Sequence, residues 1–256
     1  MNGPKRPTGF YLLLFITLFF LYLPFLAGAA GIRETKHNLS ASFCRDGGKY
    51  SVTAASECQI CIFCHTPHNS NPARPLWNHE ISAVTNYIPY FSNTLQSYSS
   101  PAGAPTVDGT SKLCLSCHDG TVAIGSVASR FDDIVMSSSP CLDATGRLAD
   151  TADPECTGFI GTDLSGGHPI SIIFDDNLTS QRNSHIPKLS NLVFPSTIHD
   201  PDVRLSPTHG GMGVQCSSCH DPHGTKAEWP PFWRKESHDA VCLVCHEDIP
   251  TGDIEW

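Results

Sequence analysis

The sequence has few of the residues that build a nucleic-acid surface or an ordinary hydrophobic core. Only 16% of its 256 residues are charged, and 16 Lys and Arg face 25 Asp and Glu, a formal net charge of -9. Binding to phosphate backbones depends on clustered positive charge, so we expect no nucleic-acid partner. Methionine is scarce, with 3 residues. Long apolar runs are absent after the first 30 residues.

The apolar run in residues 1–30 has the order of a secretory signal. Lys5 and Arg6 precede it, and small residues ending at Ala30 follow it. We therefore expect an exported protein, at the cell surface, in the extracellular space or in the periplasm, with its functional domain at 31–256. A retained membrane anchor is the alternative, because the run is long enough to enter a bilayer.

The chain is rich in metal-ligating side chains, with 12 cysteines and 13 histidines. Four copies of the pattern C-x-x-C-H occur, which is the attachment signature of c-type haem. The predicted haem-attaching residues are Cys61, Cys64, Cys114, Cys117, Cys216, Cys219, Cys242 and Cys245, and the predicted proximal iron ligands are His65, His118, His220 and His246. The sequence thus predicts four covalently bound haem c groups.

The spacing of the motif has a geometric reason. Two thiols on one helical turn reach the two vinyl groups of a porphyrin edge, and the adjacent imidazole then lies beneath the iron. Zinc is the competing interpretation, because C-x-x-C pairs also build tetrahedral sites. Zinc does not explain why a histidine follows every one of the four pairs.

Four cysteines lie outside the motifs: Cys44, Cys58, Cys141 and Cys156. In an oxidising compartment we expect them to form two disulfides, for which three connectivities exist. The local pairing, Cys44–Cys58 with Cys141–Cys156, closes two loops of about 15 residues, each worth about 3 kcal/mol. Free or metal-binding thiols are the alternative.

The second axial ligand decides what a haem can do. Iron with imidazole on both sides is low-spin and offers no open position to a substrate. Methionine is too scarce to serve four haems, so histidine must supply most distal positions. We predict the distal ligands His37, His68, His168 and His223, with His209 and His238 as substitutes. His68 and His223 each follow a proximal histidine by three residues, across a proline, so each can bind only a neighbouring haem.

Composition also limits the fold. Twenty prolines and 20 glycines disfavour long helices and continuous sheets. Residues 119–215 show no sustained periodicity, so we expect loops over haem faces there. The predicted fold class is a multihaem cytochrome c: mostly irregular chain, short α-helices at the haem motifs, little β structure and a core of stacked haems. The shared pattern C-x-x-C-H-x-P-H at 61–69 and 216–224 predicts two equivalent structural turns.

Several segments together resemble exported multihaem c-type cytochromes of metal-reducing bacteria, most closely the tetrahaem outer-surface cytochromes that polymerise into conducting filaments. They are KHNLS at 36–40, CIFCHTPHN at 61–69, PLWN at 75–78, KLCLSCHDG at 112–120, GTDLSGGHPIS at 161–171 and CSSCHDPHG at 216–224. The resemblance implies a continuous stack of bis-histidine haems. It also implies that His37 crosses to a haem of the next subunit.

Our principal hypothesis is electron transfer outside the cytoplasm by a protein that is not an enzyme and that forms the subunit of an extracellular filament. The expected partners are other multihaem cytochromes, further copies of the chain, and a metal oxide or another extracellular acceptor. A discrete periplasmic tetrahaem carrier is the alternative, because an acidic surface suits docking onto basic patches. A multihaem reductase is less favoured, since the histidines exceed the required number and no altered motif marks a special haem.

Overall fold

The computed structural model describes most of the chain after the expected leader. The described ranges are 31–45, 50–70, 76–185, 191–224 and 232–248. The predicted signal at 1–30 lies outside them, so it stays a prediction. Within the described ranges, no helix is long and apolar enough to cross a membrane.

Regular structure is sparse and short, which confirms the predicted low content of helix and sheet. The α-helices are α1 (Gly109–His118), α2 (Asp176–His185), α3 (Cys216–Cys219) and α4 (His238–Cys242). Single 3₁₀ turns occur at Ile32–Glu34, Ser42–Cys44, Ile60–Phe63, Pro101–Gly103 and Pro195–Thr197. Helical turns therefore coincide with the four C-x-x-C-H motifs.

Helix α1 ends at the second proximal histidine for a local reason. Asp119 is its C-cap and donates its N–H to Leu115 O, and Gly120 follows with φ 71°. Glycine is the usual residue at this left-handed position after a helix. A side chain there would also meet the backbone oxygen of Leu148 at 2.7 Å. The turn fixes His118 at the helix end.

A small antiparallel sheet has the strand order β1-β3-β2, with β1 at Ile172–Ile173, β2 at Ser206–Thr208 and β3 at Gly211–Val214. Strands β2 and β3 form a hairpin whose two loop residues, His209 and Gly210, have φ values of 43° and 85°. Positive φ at both loop residues suits the twist of a two-residue hairpin.

The expectation of loops throughout 119–215 was wrong, because this stretch contains helix α2 and all three strands of the sheet. Helix α2 begins after Asp175, whose Oδ1 accepts the N–H of Leu178 at 2.8 Å, as an N-cap does. The helix is polar on nearly every side, and only Thr179 within it is buried. A polar helix has no hydrophobic periodicity, so the sequence pattern did not predict α2.

The apolar core of the described residues is small. Its one cluster consists of Ala54, Phe63, Val127 and Ile134, beside the first motif. Much of the remaining interior is polar, with fully buried side chains such as Asn38, Asn78, His79 and Gln215. This thin side-chain core agrees with the composition of the sequence.

A buried polar network joins α1 to α3, and thus the second motif to the third. Gln215 is fully buried; its Oε1 accepts the N–H of Ser111 at 2.9 Å, and its Nε2 donates to Asp108 Oδ1 at 2.9 Å. Asp108 also accepts from the hydroxyl of Thr208 and from the N–H of His209. Asp108 therefore ties the start of α1 to both α3 and the β2–β3 hairpin.

This network predicts a stability that depends on pH. Burial raises the pKa of Asp108, but the hydrogen bonds from Thr208, His209 and Gln215 outweigh it and hold the pKa below its usual 3.8. A depressed carboxyl pKa stabilises the fold above about pH 4, and this contribution is lost as the pH falls through the folded-state pKa. The side chain of Asp108 is 31% exposed, so water screens its interactions and reduces this contribution to stability.

We expect Asp108→Asn to destabilise the protein at pH 7 by about 1 kcal/mol. The difference from the unchanged chain should shrink as the pH is lowered below 4, because the carboxyl is then protonated in both states. Melting temperatures measured across this pH range test it, with Asp132→Asn at an exposed position as the control. A constant difference at every pH would contradict the assignment.

Candidate functional site

Each of the four motifs forms a single helical turn that brings two thiols and a histidine together. In the first, third and fourth motifs the N–H of the histidine donates to the carbonyl of the first cysteine, at 2.8, 3.0 and 2.9 Å. The second motif lies within α1. The local geometry is therefore the one that the C-x-x-C-H spacing predicts.

The cysteines divide into two chemical groups. The eight motif cysteines are free thiols. The other four form the local disulfides, Cys44–Cys58 and Cys141–Cys156, with Cα–Cα distances of 5.5 and 5.0 Å. The structure thus selects one of the three connectivities that the sequence left open, and leaves all eight motif thiols available for thioether bonds.

Thiols of successive motifs are neighbours. A hydrogen bond to Cys216, together with burial, raises the pKa of Cys114, which places the second motif against the third. Burial and the nearby thiolate of Cys64 raise the pKa of Cys117, which places the first motif beside the second. Burial and the two thiols of the fourth motif raise the pKa of Cys219 to about 12. The motifs therefore follow one another in space as they do in sequence.

Three of the proximal histidines each face a predicted distal histidine. The ring centroids are 5.9 Å apart for His37 and His118, 6.2 Å for His65 and His223, and 6.4 Å for His168 and His246. The ring planes are nearly parallel in the second pair, at 12°, and nearly perpendicular in the other two, at 87°. Sequence separation is large in every pair, so tertiary structure brings these rings together.

The spacing within the pairs fits a shared iron. An imidazole nitrogen binds a metal at about 2 Å and the ring centre lies about 1 Å further, so two imidazoles across one iron have centres about 6 Å apart. The three observed distances agree with this value. The free thiols and the paired rings together are the donor set of haem c.

Hydrogen bonds orient several of these rings. The Nδ1 atoms of His118, His37 and His168 lie at hydrogen-bond distance from the backbone oxygens of Gly158, Pro222 and Pro169. Donation from Nδ1 to a carbonyl fixes the tautomer and leaves Nε2 as the metal-binding atom, which is the usual arrangement of a ligating histidine.

Burial favours the neutral form of four of the six paired rings. It is the largest cause that lowers the pKa of His37 and of His246 to about 4, and the paired histidine adds to the effect in each case. Burial also lowers the pKa of His118 and His168. Metal ligation requires neutral imidazole, so these surroundings favour the binding-competent form.

The first and third motifs open two copies of one structural unit, here called the first repeat (61–70 and 76–78) and the second repeat (216–224 and 232–234). The matching backbone hydrogen bonds are Asn78 to Cys64 and Thr66 to Leu76 in the first repeat, and Arg234 to Cys219 and Asp221 to Phe232 in the second. Leu76 and Phe232 also share a positive φ, 63° and 64°. The predicted equivalence of the two turns is confirmed.

Each repeat places a tryptophan against its own proximal histidine. The sequence did not predict this contact. Trp77 lies 6.1 Å from His65, edge to face, and Trp233 stacks on His220 at 4.5 Å. The signal was present as Pro-Leu-Trp ending at 77 and Pro-Phe-Trp ending at 233. These tryptophans hold the proximal rings from the side.

His37 is held by the second repeat. Its ring stacks on Phe232 at 4.7 Å, and its Nδ1 approaches Pro222 O at 3.3 Å. Gly224 permits this docking: its φ is 66°, and a side chain there would meet Thr35 Cγ2 at 2.5 Å. The segment around His37 therefore lies against the second repeat while its ring faces His118.

The remaining histidines have other surroundings. His209 Nε2 approaches Thr106 O at 2.8 Å, and His238 Nε2 approaches Cys242 Sγ at 3.5 Å. His79 is fully buried, with Nδ1 at 2.6 Å from Ser126 O. His185 and His199 are exposed. His68 is exposed and occupies in the first repeat the position that His223 has in the second.

Comparison with known proteins supports the assignment for one part of the chain. Residues 209–251 match the family described as the doubled CXXCH motif, a region that holds the third and fourth motifs. No curated protein matches the chain. The doubled motif indicates a multihaem c-type cytochrome that binds haem covalently and transfers electrons.

Proposed function

We propose that the protein carries electrons outside the cytoplasm through four c-type haems, each held by histidine on both sides. The observation that carries this proposal is the set of three imidazole pairs, each formed by one proximal and one distal histidine at a spacing of 5.9 to 6.4 Å. Haem bound in this way supplies one-electron exchange between Fe(III) and Fe(II).

The ring pairs support three of the four proposed ligand sets. His65 and His223 would hold the first haem, His118 and His37 the second, and His246 and His168 the fourth. Equivalence of the repeats supports the third set, because His223 of the second repeat faces His65 of the first. By the same relation, His68 of the first repeat binds the haem at His220. The two repeats thereby exchange distal ligands.

The arrangement of the motifs supports a continuous path. Thiols of neighbouring motifs influence one another's pKa, from Cys64 and Cys117 through Cys114 and Cys216. Thioether bonds made from adjacent thiols bring the attached porphyrin edges close together. The polypeptide therefore sets the spacing, the axial ligation and the burial of its redox groups.

We propose a carrier and not an enzyme. All four predicted distal histidines have an assigned iron, so no coordination position remains for a substrate. Turnover of nitrite, hydroxylamine or sulfite by the purified protein would favour the multihaem reductase instead.

Of the two carrier hypotheses we propose the discrete protein, a choice that depends on the position of His37. Its ring faces His118 of the same chain and stacks on Phe232. The acidic charge suits docking onto basic patches of other multihaem cytochromes. In the filament, His37 would have to leave His118 and bind a haem of the next subunit. Electron micrographs of secreted material distinguish the two, since only the polymer gives filaments.

The test of the proposed function is the haem content and spin state of the matured protein. We expect four haems, each adding about 616 Da to the mass of the polypeptide. The oxidised protein should be fully low-spin in its visible and electron paramagnetic resonance spectra, because imidazole fills both axial positions. Fewer than four haems, or a high-spin signal from the resting oxidised protein, would contradict the proposal.

A further inference from the structure

A short segment at residues 158–161, here called the covering segment, lies against the end of helix α1. The N–H groups of Ile160 and Gly161 donate to His118 O at 2.7 and 3.2 Å. The carbonyl oxygen of Gly158 lies at hydrogen-bond distance from His118 Nδ1. The covering segment therefore holds the second proximal histidine by both its backbone and its ring.

Phe159 anchors the covering segment on the end of α1. Its ring lies over Gly120, where an added side chain would meet Phe159 Cε2 at 2.5 Å. The opposite edge of the ring lies near Gly161, where an added side chain would come within 3.2 Å of Cε1. The ring therefore joins the turn after α1 to the covering segment. The disulfide Cys141–Cys156 fixes the chain just before this segment.

We propose that Phe159 is a positioning residue for His118, and that the hydrogen bond it secures lowers the reduction potential of the second haem. The inference rests on the proposed function. A carbonyl that accepts from Nδ1 makes a ligating imidazole more basic, and hence a stronger electron donor to the iron. A stronger donor stabilises Fe(III) relative to Fe(II), and hydrogen bonds to an axial ligand are one means by which a protein sets a haem potential.

The direction of the shift distinguishes positioning from simple shielding. If Phe159 only shielded the haem, its removal would admit water. Water stabilises the form with the higher charge, Fe(III), so the potential would fall. Loss of the hydrogen bond to His118 makes the imidazole a weaker donor, so the potential rises instead. The two roles therefore predict opposite signs.

The experiment is a potentiometric titration of the matured Phe159→Ala protein. We expect one of the four one-electron steps to move to higher potential, with about a tenfold rise in the Fe(II)/Fe(III) ratio of that haem, equal to 59 mV. Phe159→Leu keeps an apolar side chain over Gly120 and should move the same step less, with the same sign. Ile160→Ala is the matched control, because Ile160 is 51% exposed and reaches His118 through its backbone N–H.

Hydrogen exchange follows the covering segment itself. The amides of Ile160 and Gly161 should exchange faster in Phe159→Ala than in the unsubstituted protein, because both donate to His118 O. Unchanged exchange, an unchanged potential or a shift to lower potential, with four haems counted by mass in the same sample, overturns the role of Phe159 alone.

A second background assigns the effect to the second haem. In a chain with Cys114→Ser and Cys117→Ser, which lacks the thiols for this attachment, Phe159→Ala should leave the three remaining potentials unchanged. A shift in that background overturns the assignment. Absence of the second haem from the unsubstituted chain contradicts the proposed function itself.

Discussion

Replacing Cys216 and Cys219 together by serine is expected to remove one haem and to destabilise the protein on both sides of the third motif. Helix α3 carries both thiols, and Gln215 at its start anchors the buried network to Asp108 on α1. The apolar cluster of the described residues is too small to compensate for a lost porphyrin. Cavities left in a core cost several kcal/mol even when a single side chain is removed.

The loss should also reach the first repeat. Under the proposed ligand exchange, His68 binds the haem that this variant lacks, so the turn after the first motif loses its attachment. The expected results are a mass lower by about 616 Da and a melting temperature reduced by more than 10 °C, beyond the shift of about 2 to 4 °C that 1 kcal/mol gives in a domain of about 150 to 250 residues.

The matched control is Ser217→Ala, which keeps both thiols in the same helical turn. Ser217 hydrogen-bonds to Thr110 at 2.6 Å, so its removal should cost only about 1 kcal/mol and no haem. A double cysteine variant with unchanged mass and melting temperature would show that the third motif attaches nothing.

The local part of the site is predictable from the sequence. A C-x-x-C-H pentapeptide carries the information for its own turn, because the hydrogen bond from His65 N–H to Cys61 O spans only four residues. The same holds for the turn after the first and third motifs, where His68 and His223 follow a proline. The local disulfide pairing was one of the three connectivities expected from the sequence. It too depends on residues close together along the chain, because closing a short loop costs little entropy.

The pairing of rings is not predictable in this way. His37 faces His118, and His65 faces His223, across long stretches of chain whose course is set by tertiary contacts. The sequence predicts these residues as ligands but contains no pattern that assigns each to a partner. The docking of Thr35 against Gly224 is one contact that selects the partner of His37, and it becomes visible only in the folded chain.

The residues of the buried polar network were not predicted from the sequence, for a different physical reason. Gln215 and Asp108 are polar and belong to no hydrophobic pattern, and each acts through a contact that the sequence pattern does not record. Gln215 reaches Ser111 and Asp108, which are distant in sequence. A polar side chain in a loop-rich chain is normally at the surface, and only burial distinguishes the few that organise the interior.

Replacing His37 by alanine is expected to open one haem. The ring of His37 lies 5.9 Å from that of His118, so its removal should leave the second iron with one axial histidine. The oxidised variant should then show a high-spin signal from one haem in four, and added imidazole should restore the low-spin spectrum by filling the vacant position. His199→Ala, at an exposed histidine, is the control and should change neither spectrum.

Dilution distinguishes a distal histidine supplied by the same chain from one supplied by a neighbouring subunit. A ligand supplied within the chain stays at high effective concentration, whereas one donated by a neighbouring subunit dissociates as the protein is diluted. We therefore expect the unsubstituted protein to remain fully low-spin at every concentration, from the micromolar range downward. Two results would contradict this: a high-spin fraction that grows on dilution, and mixed oligomers in which an intact chain restores the low-spin spectrum of a His37→Ala chain. Together they would place His37 on the iron of the next subunit. They would then favour the filament over the discrete carrier.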